Sequence, residues 1–286
     1  MARYTFVSIS IVAPFALCAM SLAAPTPELL PAPPAGYVWR AMPQLTDEFN
    51  GKRVDKTKWL THHPYWNGRE PSRFDPDNVS VAGGYLQLHS DTQLTNLSTI
   101  KDPKKDVWVR SSCLASTAPL ARFGYYEARL KASDLSMTSS FWLQGKYSEI
   151  DVVEEIGHSE DEPGKGQLML MNTHFYRDGW PLDKATPKDW VMPTSSAQDY
   201  HVYGVWWKDA NTVDFYHNGV QVAHVNTGGA FDEPMYLFFD TEVFTWTGLP
   251  TLGSLKDPRR NTMSVDWVRS WRLVPYGSNG LTRQNR

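Results

Sequence analysis

The segment SEIDVVEEIG, residues Ser148 to Gly157, decides the fold because acidic and aliphatic side chains nearly alternate along it. Successive side chains of a β-strand point to opposite faces, so Glu149 and Asp151 share a face, but Glu154 falls out of this parity. A β-bulge that adds one residue at Val152-Val153 would return Glu154 to the face of the other two acids. The segment therefore predicts a bulged strand with one acidic face and one buried face.

The rest of the chain is rich in strand patterns separated by turn residues. Residues 79–90 alternate on both sides of the Gly83-Gly84 pair, which is typical of a β-hairpin, and residues 123–133 alternate as well. Residues 200–225 indicate three strands, and residues 261–274 indicate a last one. No long stretch has uninterrupted helical periodicity. We predict an all-β fold, a β-jelly-roll sandwich of two antiparallel sheets with a concave substrate cleft.

The composition narrows the function classes. The chain has 286 residues, 41% of them hydrophobic, and a net charge of −3, so no basic excess points to nucleic acid or to an anionic membrane. Aromatic residues make up 13% of the chain, which suits both a sheet core and a cleft that stacks on sugar rings. We expect a monomer with no nucleic-acid or membrane partner.

Four segments are predicted along the chain. Residues 1–24 resemble a secretory signal peptide, with a basic start, an apolar stretch and small residues before the cleavage site. Residues 25–36 form a proline-rich leader, residues 37–275 one catalytic domain, and residues 276–286 a polar tail. We expect a secreted protein, and removal of the signal leaves Cys113 without a disulfide partner.

Paired acids on a bulged strand suit glycoside hydrolysis. Glu149 and Glu154 would lie roughly 13 Å apart at their Cα atoms, at about 3.3 Å per residue. Leaning together, the carboxyls could reach the separation of about 5–5.5 Å that a retaining enzyme needs. Asp151 between them would raise the proton affinity of its neighbours. A solvated acidic edge or a cation site is the alternative, which the aromatic residues flanking the segment disfavour.

The hexapeptide EIDVVE, residues 149–154, resembles the signature of glycoside hydrolase family 16 in its bulged form, as found in agarases, porphyranases, carrageenases and laminarinases. The resemblance extends over residues 37–274. It implies a jelly roll in which Glu149 is the nucleophile, Asp151 its helper and Glu154 the acid/base, with no cofactor for catalysis.

The same resemblance implies residues that bind the substrate. The family has a tryptophan beneath the reacting sugar and a histidine on the following strand, and its red-algal galactanase branch has a His, Trp and Arg at three-residue steps. The matching residues here are Trp142, His174, His63, Trp66, Arg69 and, in FDTEVFTW, Glu242. Two alternatives stay open: His174 as a structural residue, and Trp66 with Arg69 as a cation–π pair that stiffens a loop.

A structural calcium ion is also implied, because family members often carry one away from the active site. The segments that resemble its ligands contribute Glu48, Gly83 and Asp266. Salt bridges or capping interactions of the two acids are an equally open interpretation.

The substrate prediction rests on the cations near the nucleophile. Porphyranases tend to have a further arginine just before it, whereas this chain has Leu143, Gln144 and Lys146 there. We therefore expect an endo-acting β-agarase that cleaves the β-1,4 galactosidic linkages of agarose to neoagaro-oligosaccharides. The alternatives are a β-porphyranase acting on sulfated agaran and a non-catalytic galactan-binding jelly roll.

Overall fold

The structure is a computed structural model that describes residues 30–277. The predicted signal peptide, the first part of the leader and most of the polar tail lie outside the described residues. Within them, the first strand begins at Tyr37 and the last ends at Pro275. No helix in this part of the chain is both long and apolar enough to cross a membrane.

Strands make up most of the regular secondary structure of the described chain. Its only α-helix among residues 30–277 is the short α1, Leu252–Lys256. The strands are β1 Tyr37–Ala41, β2 Trp59–Leu60, β3 Ser72–Phe74, β4 Val79–Ala82, β5 Tyr85–His89, β6 Val109–Ser111, β7 Cys113–Ser116, β8 Gly124–Lys131, β9 Thr138–Gln144, β10 Ser148–Ile156, β11 Leu168–Phe175, β12 Lys188–Val191, β13 His201–Asp209, β14 Thr212–His217, β15 Val220–Asn226, β16 Tyr236–Asp240 and β17 Thr262–Pro275.

Two antiparallel sheets form a sandwich. One has the strand order β15-β14-β13-β8-β17-β5-β4, with β1 also paired to β17. The other has seven strands in the order β12-β11-β10-β9-β16-β7-β2. A small parallel pair, β3 and β6, lies outside them. The predicted all-β jelly-roll sandwich is confirmed.

The turns between strands follow the glycine pattern of the sequence. Gly83 and Gly84 connect β4 to β5 with φ values of 63° and 87°, in the left-handed region that glycine adopts without strain. Asn218 and Gly219 connect β14 to β15 with φ values of 49° and 79°, which fits a two-residue hairpin turn. The predicted hairpin at Gly83-Gly84 is confirmed, and residues 200–225 form three strands as predicted.

The core lies between the sheets and determines which face of β10 is free. Ile150, Val152 and Val153 are fully buried in this core. The acids of β10 that alternate with them therefore emerge on the outer face of the seven-stranded sheet. Burial of each of the three aliphatic side chains stabilises this orientation by roughly 1.5–3 kcal/mol.

Candidate active site

The predicted β-bulge is present in β10. Asp151 pairs with Trp142 on β9, but the next pair is Val153 with Phe141, so that Val152 is the extra residue. Both Val152 and Val153 are buried. The bulge lets the strand bury two successive valines and still direct Glu154 to the face of Glu149 and Asp151.

Strand register arranges the outer face of this sheet in three rows, because residues directly opposite each other point to the same side. The rows are Tyr236–Gln144–Glu149–His174, then Phe238–Trp142–Asp151–Asn172, then Asp240–Ser140–Glu154. Each of the three predicted acids therefore belongs to a different row.

A cavity of about 310 Å³ covers these rows. Eight of the predicted site residues line it: Glu149, Asp151, Glu154, Trp142, His63, Trp66, Arg69 and Glu242. His174 reaches the same group through its Nε2, which lies 3.3 Å from Oδ2 of Asp151. The sequence prediction thus identified residues that the fold does bring together.

Burial and like charges favour protonation of the two glutamates. Desolvation, and then the charge of Asp151, raises the pKa of Glu149 and of Glu154 well above the usual range. Glu149 accepts a hydrogen bond of 2.7 Å from Nε2 of Gln144, which stabilises its ionised form. Within residues 30–277 no donor contacts the Glu154 carboxyl in this way. The hydrogen bond from Gln144 therefore distinguishes the two acids, because it stabilises the ionised form of Glu149 and has no counterpart at Glu154.

His174 supplies a positive charge to the acid cluster. Burial disfavours its charged form, but the hydrogen bond and charge of Asp151, together with Asp183 and Glu149, outweigh burial and raise the pKa of His174 to about 10. Its Nδ1 lies 2.6 Å from Oδ2 of Asp183. The ring is held between two carboxylates, so the structure favours an electrostatic contribution in addition to the structural one that the sequence left open.

His63 is held as a neutral ring. It stacks on Phe238 at 4.6 Å between centroids and on Trp142 at 5.9 Å, and burial lowers its pKa to about 4. The backbone N–H of Tyr65 donates to its Nδ1 at 3.2 Å. The hydrogen of a neutral ring is therefore on Nε2, a buried atom without a partner in the described part of the chain.

Arg69 lies at one side of the cavity between an acid and aromatic rings. Its Nε donates to Oε2 of Glu242 at 2.6 Å. Its guanidinium carbon is 5.6, 5.0 and 5.7 Å from the ring centroids of Trp66, Phe244 and Trp246. The cation–π contact that the sequence left open is present, and Arg69 faces the cavity as well.

Five further residues line the cavity but were not predicted: Tyr65, Ser140, Gln144, Trp180 and Asp240. Ser140 and Gln144 lie two residues to either side of Trp142, so the period of the strand could have identified them. Asp240 precedes Glu242 by two residues and offered the same signal. Tyr65 and Trp180 come from loops and offered none.

Among residues 30–277, three side chains that could hold a metal ion come together: Glu149, Asp151 and His174, whose ligand atoms all lie within 4.8 Å of one another. A protonated His174 offsets part of the negative charge of the two acids.

The predicted calcium ligands have other partners. Both carboxylate oxygens of Glu48 accept from Arg269, at 2.8 and 3.0 Å. Oδ2 of Asp266 accepts from Arg129 at 2.6 Å. Gly83 belongs to the β4–β5 turn. The two acids thus form the salt bridges that were the alternative interpretation, and the structural calcium ion stays a prediction.

The salt bridges of Glu48 and Asp266 predict that removal of divalent ions leaves the stability unchanged. We expect EDTA to shift the thermal unfolding midpoint by less than about 1 °C, measured by calorimetry with and without added calcium. A decrease of about 4 °C or more that calcium reverses, roughly 1 kcal/mol or more for a domain of this size, would show that an ion displaces the arginines.

Comparison with known proteins gives a consistent result. The family described as "Beta-porphyranase A-D, GH16 domain" matches residues 39–273. Beta-porphyranase B of Phocaeicola plebeius is 35% identical over 283 residues, covering 86% of this chain and 88% of its own. Beta-porphyranase E of Zobellia galactanivorans is 36% identical over 261 residues, covering 85% and 91%. A beta-agarase of Phocaeicola plebeius is 29% identical over 275 residues, covering 84% and 87%.

A solved structure agrees with the sequence relatives. The crystal structure of the beta-porphyranase BpGH16B from the human gut bacterium Bacteroides plebeius superposes with a TM-score of 0.76 at 33% identity, covering 87% of this chain and 96% of its own.

Proposed function

Because the chain belongs to glycoside hydrolase family 16, in its branch of β-porphyranases and β-agarases that act on red-algal galactans, we propose that it is a β-porphyranase. It is endo-acting: it cleaves internal β-1,4 galactosidic linkages of sulfated agaran, and the configuration at the anomeric carbon is retained. The observation that carries the proposal is the match of the porphyranase family to residues 39–273. The prediction of agarose as the preferred substrate gives way to its alternative, because the porphyranase family matches and two porphyranases are 35% and 36% identical, against 32% and 29% for two agarases.

The reaction uses the two glutamates in turn. The ionised carboxylate of Glu149 attacks the anomeric carbon, while Glu154 gives its proton to the departing glycosidic oxygen. A glycosyl ester on Glu149 results. Glu154, now ionised, takes a proton from water as the water attacks the same carbon, which releases the sugar and restores both residues. The positive charge of His174 offsets the negative charge of Asp151 beside Glu149.

Arg69 supports a sulfated substrate. Its side chain is 43% exposed, and Glu242 contacts its Nε, which leaves the outer edge of the guanidinium available to an anion. Trp246, one of the rings beside it, is 63% exposed and offers a stacking surface for a sugar. In this account Trp66 and Trp246 hold the galactose rings while Arg69 binds the sulfate.

A β-agarase is the second candidate, and the cation count of the cavity favours it. Arg69 is the one arginine among the described residues that line the cavity, and no lysine lines it. Gln144 donates to Glu149, and Lys146 lies over the ring of Tyr147 at 4.8 Å, so neither adds a second cation there. A non-catalytic module is disfavoured, because binding alone does not require the paired glutamates.

The two substrates are best compared in parallel. Purified protein is incubated with porphyran, chemically desulfated porphyran and agarose, and reducing ends and oligosaccharides are measured. The proposal predicts faster release from porphyran than from the other two. Faster release from agarose would establish the second candidate instead.

Replacement of Arg69 should separate sulfate binding from catalysis. We expect Arg69→Lys to lower kcat/KM on porphyran by roughly 10- to 100-fold, because a hydrogen bond to a charged group contributes about 1.5–3 kcal/mol. The value on agarose should change much less. Arg177→Lys, at an arginine that also lies over aromatic rings but does not line the cavity, is the matched control. An equal loss on both substrates in Arg69→Lys would rule out a sulfate-specific role.

Secretion is part of the proposal. It is supported by Arg3 at the start of the chain and by the apolar stretch from Phe6 to Met20. A polysaccharide of this size is degraded outside the cell, which agrees with export.

A further inference from the structure

Asp240 is a buried carboxyl in the catalytic cavity to which the reaction above gives no task. It is 1% exposed and lies at the end of β16. Its Oδ2 accepts a hydrogen bond of 3.2 Å from Nε1 of Trp142, while its Oδ1 has no hydrogen-bond partner within residues 30–277. No arginine, lysine or histidine in that range forms a salt bridge with it.

The register places Asp240 next to Glu154. Both residues pair with Ser140 on β9, one from each side, so the three side chains point to the same face. The backbones of β16 and β10 are about 10 Å apart at this row, twice the usual strand spacing. The small side chain of Ser140 leaves room above it, and both carboxyls line the same cavity.

The charges around the cavity leave these two acids without a cation of their own. Five carboxyls line it: Glu149, Asp151, Glu154, Asp240 and Glu242. Arg69 bonds Glu242 and His174 lies against Asp151, while Gln144 donates to Glu149. Complete ionisation would put five negative charges against two positive ones in a poorly solvated site, so a proton remains among the acids.

We propose that Asp240 is a positioning residue for Glu154: the two carboxyls share one proton above Ser140, and this keeps Glu154 in the acid form that protonates the departing oxygen. The inference rests on the proposed function, in which Glu154 is the general acid. When Glu154 has given up its proton, the negative charge of Asp240 makes it a stronger base for the water in the second step.

The electrostatics of the neighbouring groups agree with this arrangement. Burial, and then the charges of Glu242 and Glu154, raises the pKa of Asp240 well above its usual range. Cys113, which pairs with Asp240 from β7, is a neutral thiol because burial raises its pKa well above normal. The remaining charged groups that face the pair are Arg69, Glu242, Asp151, His174 and Glu149.

The variant Asp240→Asn tests the shared proton directly. Its amide oxygen can still accept from Trp142, so the packing is kept while the charge is removed. We expect the alkaline limb of the kcat/KM profile on porphyran to move to lower pH by about one unit, because the like charge that favours protonation of Glu154 is gone. A purely structural Asp240 would leave that limb where it is. Asp189→Asn, on the exposed strand β12, is the matched control with an unchanged profile.

The outcomes separate this inference from the function on which it rests. Wild-type protein without activity on any galactan refutes the proposed function. Active wild type and Asp240→Asn with the same alkaline limb refute the shared proton alone. If the asparagine variant does not fold, Asp240→Ser, which is smaller and keeps an oxygen acceptor, is measured in its place by the same criterion.

Discussion

Glu149→Gln should reduce kcat on the galactan by at least about 10⁴-fold, because the amide cannot form the covalent ester through which the reaction proceeds. The substitution keeps the shape of the side chain, and Gln144 remains beside it. The unfolding midpoint should therefore stay close to that of the wild type. Product release over hours measures kcat, and calorimetry on the same preparation measures the unfolding midpoint.

The variant Glu149→Ala tests whether the lost step is formation of the ester between Glu149 and the sugar. In Glu149→Ala the missing side chain leaves space for a small anion, and azide can attack the anomeric carbon from the vacated side. We expect azide to restore turnover and to give the glycosyl azide of inverted configuration. Activity of Glu149→Gln within tenfold of the wild type would exclude Glu149 as the nucleophile.

Glu154→Gln should reduce kcat on the polysaccharide by on the order of 10²–10⁴-fold, the usual contribution of general acid–base catalysis. The environment of Glu154 explains why it carries the proton: burial raises its pKa, and the charges of Asp151 and Glu242 raise it further. Loss of the Glu154 carboxyl should also remove the alkaline limb of the pH profile, because that limb reports deprotonation of the general acid.

The leaving group provides the control for this second variant. An oligosaccharide with a nitrophenyl leaving group needs little protonation, so its release in the first step should be nearly as fast in Glu154→Gln as in the wild type. A burst of nitrophenol followed by slow turnover would show that the second step has lost its base. Equal losses on both substrates would contradict the acid/base role.

The sequence predicted the bulged strand β10 because two independent constraints act on it. Val152 and Val153 must both be buried, and the acids must share a face, and only an extra residue satisfies both conditions. Trp142 was implied by the resemblance to the family, and the register agrees with it by placing Trp142 opposite Asp151. Local periodicity alone was sufficient for the bulge.

The parts that the sequence did not reveal depend on contacts between distant segments. The salt bridge of Glu48 with Arg269 joins residues 221 positions apart, and that of Asp266 with Arg129 spans 137 positions, so neither could be identified without the fold. Trp180 reaches the cavity from a loop whose path no periodicity describes. The partners of each acid, rather than the acids themselves, were the missing information.

The configuration of the first product tests the central claim most directly, namely that Glu149 and Glu154 act from one face of a bulged strand as a retaining pair. Proton NMR during the first minutes of porphyran digestion follows the anomeric signals of new reducing ends before mutarotation mixes them. We predict that the β-anomer appears first and the α-anomer only later. Initial release of the α-anomer would mean direct attack by water and would contradict this account.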